Sequence, residues 1–153
     1  MNTGNGIKAL TIIHKVLLAG QVLFTVVSFF LVSAKMLDPV PEELDRIFQV
    51  IALVLSAAGF FVGATLFKNK ILMLRNMEAG AKEKFSLYRA ACIFQWALME
   101  APCLFCIVCF FLTGNYAFVA LASVLILLFA MQAPSKVKIG FHLGLHDDEL
   151  EDL

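Results

Sequence analysis

Apolar residues gather in four runs, Val16–Ala34, Ile47–Phe67, Ala90–Leu112 and Tyr116–Ala133, parted by short polar or charged stretches. Each is close to the roughly 17–25 residues that a helix needs to cross a hydrocarbon layer about 30 Å thick. The pattern predicts an all-α integral membrane protein, a four-helix bundle forming one transmembrane domain over 1–153. A short tail over 135–153 follows Pro134, which ends the last run. Val32-Ser33-Ala34 has the small residues of a signal-peptide cleavage site. The run before it exceeds the usual apolar segment of about 7–15 residues, so it reads as a span.

Within the spans the few polar positions are ordered. His14, Gln21, Thr25 and Ser28 recur on one helical face. In lipid a polar side chain needs a partner inside the protein, so this stripe is expected to face other helices. It reads either as interhelical hydrogen bonding or as the wall of an ion or proton path. In span two, Gln49, Ala52, Ser56, Gly59 and Gly63 share a narrow arc, and Gly59-Phe-Phe-Val-Gly63 has the spacing that lets two backbones approach closely. That arc is expected to be a packing face. The charged connection Lys68–Lys84 reads as an extension of span two broken near Ala79-Gly80, and Thr113-Gly114-Asn115 as a tight turn.

Charge orients the chain. Of 12 basic residues, Lys8, Lys15, Lys68, Lys70, Arg75, Lys82, Lys84, Arg89, Lys136 and Lys138 fall on one side, and only Lys35 and Arg46 on the other. This bias predicts cytoplasmic N- and C-termini. A basic cytoplasmic loop faces anionic lipid, which accounts for its charge without nucleic acid. Composition agrees: 61% of residues are hydrophobic and 16% charged, against about 25% charged in soluble domains.

One residue breaks the rule that spans are apolar. Glu100 lies near the centre of Ala90–Leu112, about 16 Å from either end of the run. An acid at that depth costs a few kcal/mol and is by default a functional candidate. It is either neutral, exchanging protons, or holding a cation. Thr25, Ser56 and Ser123 lie at similar depth as candidate hydrogen-bond supports, with Gln21 and Gln95 as further polar candidates. Two alternatives stay open: a protonated acid that only fixes helix registry, or specific ligand binding. Arg89 shares the face of Glu100 but is about 16 Å away along the axis, too far for an ion pair.

Other chemistry is sparse. Cys103-x-x-Cys106-x-x-Cys109 splays its thiols round a helix too widely to grip one ion, so the cysteines read as apolar filler. His142 and His146 are four apart beside Asp147, but Gly140 and Gly144 weaken a helix there. There is no Ser/His/Asp set, zinc-protease motif or phosphate loop. No enzyme, cofactor or metal is expected.

Val22–Met36 aligns without gaps on Cys103–Ala117, with Leu-Phe, Val and Phe-Phe-Leu in register. It reads as two copies of one helical hairpin or as a chance match between apolar sequences; in a duplication, Ala19 occupies the place of Glu100.

Tyr88-x-x-Ala91-x-Ile93-x-x-x-Ala97-x-x-Glu100, with Leu112-Thr113-Gly114-Asn115, Pro134-Ser135-Lys136 and the acidic end, resembles an uncharacterised family of small four-span bacterial inner-membrane proteins. The resemblance implies that membrane as the location and brings no activity. Spans two and three also resemble in outline the proteolipid c subunit of rotary ATPases: Gly59 and Gly63 on one helix, Glu100 on the next. The dense glycine run of that family is missing, the polar loop is longer, and its function does not carry over. The function expected is a small oligomeric protein handling protons or cations through Glu100; the alternative is a non-catalytic assembly subunit. The expected partners are the bilayer and a second copy or another membrane subunit.

Overall fold

All four apolar runs are helical, and three of the helices continue well past them. The computed structural model describes residues 5–34, 41–145 and 150. They form α1 (Asn5–Ser33), α2 (Glu42–Arg75), α3 (Ala81–Thr113), α4 (Tyr116–Met131) and α5 (Lys136–Leu143). Apolarity marks only the part of a helix that touches lipid. The backbone ladder continues through flanking Lys, Leu and Met residues of good helix propensity, so α2 runs on to Arg75 and stops at Asn76. Most of the predicted external loop (35–40) and the acidic end (146–149 and 151–153) lie outside the described residues.

α1, α2 and α3 are each long and apolar enough to cross a membrane. α4 has 16 residues and qualifies only together with α5, across a 74° bend. The outer faces fit that reading: Leu23 and Phe30 on α1 and Leu53 and Phe61 on α2 are all more than 60% exposed. The polar His14, Gln21, Ser28 and Ser56 point inward. Such an inside-out distribution is what a lipid surround selects.

α3 is the hub, touched by all the other helices. Its buried side chains run its full length, from Phe85 to Phe110. α2 lies along one side, brought close by its glycines: a Cβ on Gly59 would collide with the Leu98 carbonyl oxygen and lie 3.1 Å from Pro102 Cγ. One on Gly63 would lie 3.6 Å from Leu98 Cβ. Pro102 stays within a continuous helix, its ring turned to the space that Gly59 leaves. α4 packs on another side, and α1 fits against both α3 and α4. α1 and α2 scarcely touch. Of the two halves read as possible copies of one hairpin, only the second packs as one. α3 and α4 form a hairpin, but α1 and α2 do not, because the polar face of α1 and the glycine face of α2 both seek α3.

Two local devices set the ends. Gly114, at φ 68°, closes α3 by donating its N–H to the Phe110 carbonyl oxygen at 2.8 Å. Asn115 then caps α4, its Oδ1 accepting from Ala117 N at 3.0 Å, while its Nδ2 donates to Asp45 Oδ2 at 2.7 Å. The turn between α3 and α4 is thus tied to the start of α2.

The close approach yields a stability prediction. Gly59→Ala should destabilise by about 1–3 kcal/mol, as overpacking does. Gly20→Ala, where a Cβ meets nothing within 4 Å, should be neutral or slightly stabilising. Reversible unfolding of both variants in mixed micelles checks the contrast.

Candidate functional site

The polar stripe of α1 is buried in heptad steps. His14, Gln21 and Ser28 are 2%, 1% and 1% exposed. The His14 ring stacks on Phe129 at 4.7 Å between centroids and meets Trp96 edge-on at 4.9 Å. Its Nε2 lies 3.0 Å from the Phe129 carbonyl oxygen; a carbonyl only accepts, so Nε2 carries the proton. Towards the other end of α1, Phe29 contacts Phe110 and Tyr116 at 6.2 and 6.1 Å. These two layers set the register. α1 runs parallel to α3 and antiparallel to α4, with His14 level with Trp96 and Phe29 level with Phe110. Gln21 therefore falls between them, near the level of Cys103 and Ala122, where Cys103 Sγ donates to the Ala122 carbonyl oxygen at 3.9 Å.

Gln21 is the anomaly of this seam. Both amide atoms, Nε2 and Oε1, are buried without a hydrogen-bond partner, as is Ser28 Oγ. A buried, unmatched polar atom costs about 1–3 kcal/mol. By register, Gln21 is about 4–5 Å along the axis from the level of Glu100. Round α3, Glu100 lies within about 60° of Trp96, Cys103 and Ile107, all 1% exposed. On its other flank Ile93 and Ala97 are exposed. Glu100 is half-buried, on the edge where the α1–α3 seam opens outward.

The three hydroxyls expected to support the acid are engaged elsewhere. Thr25 Oγ1 donates to the Gln21 carbonyl oxygen at 2.8 Å, and Ser123 Oγ to Val119 O at 2.8 Å, each within its own helix. Ser123 is exposed. Ser56 pairs with Cys106 at 3.9 Å, across the α2–α3 contact. None of them hydrogen-bonds Glu100. Gln95 is 9% exposed and lies against Gly63, on the side of α3 turned away from Glu100. The structure thus brings Gln21 to the acid's level and leaves Thr25, Ser56, Ser123 and Gln95 in other contacts.

No family model, curated protein or solved structure matches this chain. The site is therefore read from its own geometry. Among the described residues no three His, Cys, Asp or Glu side chains gather as metal ligands. The cysteines line helix contacts as small buried groups.

Two polar features escaped the sequence pattern. Asp45 accepts from Gln49 Nε2 at 2.9 Å and from Asn115 Nδ2 at 2.7 Å on one oxygen, leaving Oδ1 buried and unpartnered. At the opposite end, Tyr88 O–H and His142 Nδ1 meet at 3.3 Å. Both link residues far apart in the chain, so no local spacing announces them.

The unmatched amide predicts an unusual mutational contrast. Gln21→Leu should leave stability unchanged or raise it, since it removes two unsatisfied atoms. His14→Leu should cost about 0.5–1.5 kcal/mol, the net value of a hydrogen bond. The same micelle unfolding assay reads both.

Proposed function

We propose that the protein is a four-span bundle of the bacterial inner membrane, both termini cytoplasmic, in which Glu100 handles protons or cations within an oligomer. α4 is the fourth span and α5 lies along the cytoplasmic surface. The reading rests chiefly on one observation: a midspan carboxyl with no hydrogen bond among the described residues lies within one helical turn of the level of a buried amide that has no partner either. A carboxyl in lipid that lacks partners is held neutral or takes up a cation. Gln21 is the neighbouring group able both to donate and to accept, and so to serve a proton or a coordinating water. His14, Gln21 and Ser28 continue the polar line over about 21 Å of α1, much of the hydrocarbon thickness.

The outward opening of the acid supports an oligomer. Ala90, Ala97 and Ala101 are exposed on the same side of α3, small residues of the kind that admit a second helix. The same stripe favours the alternative, in which the acid and alanines dock a partner subunit and no ion moves.

The two readings separate on one variant. Glu100→Gln keeps size and hydrogen bonding but cannot ionise. In proteoliposomes with an imposed pH or sodium gradient, it should reduce flux at least tenfold while its oligomeric state in detergent is unchanged. Equal flux in variant and wild type removes the ion-handling reading; loss of the oligomer with no flux in either favours docking.

A further inference from the structure

A cavity of about 250 Å³ lies where α4 turns into α5, walled by α2 and α3. It is independent of Glu100. Its polar lining comprises Tyr88, Gln95, Gln132, Lys138 and His142, with Trp96 as an aromatic wall. Among the described residues no carboxylate lines it.

Lys138 Nζ donates to the Met131 and Ala133 carbonyl oxygens at 3.1 and 3.0 Å. An ammonium has three N–H groups, so one remains for a ligand. Tyr88 and His142 share one hydrogen bond; whichever atom donates, the pair keeps a second N–H or O–H to give. Burial first, and the Lys138 ammonium second, push the His142 imidazole below its usual range, so among the described lining residues the full charge is that of Lys138.

The amides point to what else the ligand carries. Gln132 Oε1 is buried and unpartnered, while its Nε2 spends a donor on the weakly accepting sulfur of Met99, at 2.6 Å. Gln95 is 9% exposed, and its side-chain amide has no hydrogen bond among the described residues. An occupant that suits this lining offers negative charge to Lys138 and, once the Gln132 amide turns its buried Oε1 to the cavity, a donor to Gln132. In the proposed four-span arrangement the cavity starts at the basic end of the bundle, at Tyr88 and Lys138, and reaches inward to Trp96. Val137 and Phe141 of α5 are 81% and 72% exposed on the outer surface, the arrangement of a helix resting its apolar side chains in a membrane interface.

We infer that this elbow cavity binds a glycerophosphate group, with the phosphate on Lys138 and the Tyr88–His142 pair and a glycerol hydroxyl donating to Gln132 Oε1. The group is carried either by an anionic phospholipid or by free glycerol phosphate.

The chain's one tryptophan is the cavity wall, so its fluorescence reports occupancy. The full-length protein in nonionic detergent is titrated with dioctanoyl phosphatidylglycerol, dioctanoyl phosphatidylcholine and glycerol 3-phosphate. Phosphatidylglycerol should give a saturable change in Trp96 emission, at least tenfold tighter than phosphatidylcholine. Lys138→Gln and Gln132→Leu should each weaken it several-fold. If Lys138→Gln fails to fold because α4 loses its cap, Gln132→Leu carries the test. Glycerol 3-phosphate binding as tightly as the lipid assigns the site to the free compound; weaker binding assigns it to the lipid. Either supports the site. No saturable change with either phosphate, equal affinity for phosphatidylcholine, or unchanged affinity in the folded variants overturns it.

Discussion

The His14 ring fixes how α1 meets the rest of the molecule. It is held three ways at once: stacked on Phe129, edge-on to Trp96 and hydrogen-bonded to the Phe129 carbonyl oxygen. An imidazole in lipid has few other places to put its N–H, so the bond is worth more to orientation than its modest net energy suggests. With this layer set, heptad spacing carries Gln21 to the middle of the seam and Ser28 to its outer end. A rotation of α1 by one residue would turn all three polar groups towards lipid together. The polar stripe is thus a single constraint, and the level of Gln21 relative to Glu100 follows from it.

The other side of α3 obeys a different logic. There the glycines of α2 let backbones meet, and Ser56 and Cys106 are weakly paired across the contact. Hydroxyls on a helix have an easy local solution, the carbonyl four residues back, and Thr25 and Ser123 both take it. An amide or a carboxyl is too long or too demanding for that solution. This is why Gln21 and Glu100 remain with unmet hydrogen-bonding capacity while Thr25 and Ser123 do not; the Ser28 hydroxyl, also buried in the seam, is left unpartnered as well.

This difference also marks what could be read from the chain alone. The inward polar face of α1 was legible because helical periodicity places His14, Gln21 and Ser28 on one line, and the packing role of Gly59 and Gly63 because close approach needs small residues at a four-residue step. The break at Gly80 and the turn at Gly114 were legible from turn chemistry. Which helices would pair was not. An apolar surface matches many others, so nothing local says that α1 prefers α3 and α4 to its neighbour α2. Tyr88 carries no local sign of a partner, and His142 reads only as one of two histidines four apart, until the elbow at Pro134 brings them together. That elbow is a tertiary event, and Pro134 by itself announces only that a helix ends. Glu100 was legible as a candidate because of its depth, but its half-open position depends on where α1 lies.

Trp96 joins the two ends of this account. One side of its ring braces His14, and with it the register of the polar seam; another walls the elbow cavity beneath α5. Close-packed interiors transmit displacement because few voids absorb it. The ring that walls the cavity is the same ring whose other contacts hold α1 in register. α3 places the tryptophan one turn below Glu100, so the seam, the acid and the interfacial cavity hang on adjacent turns of one helix. The level of Glu100 and the inner wall of the elbow cavity are thus one helical turn apart on α3.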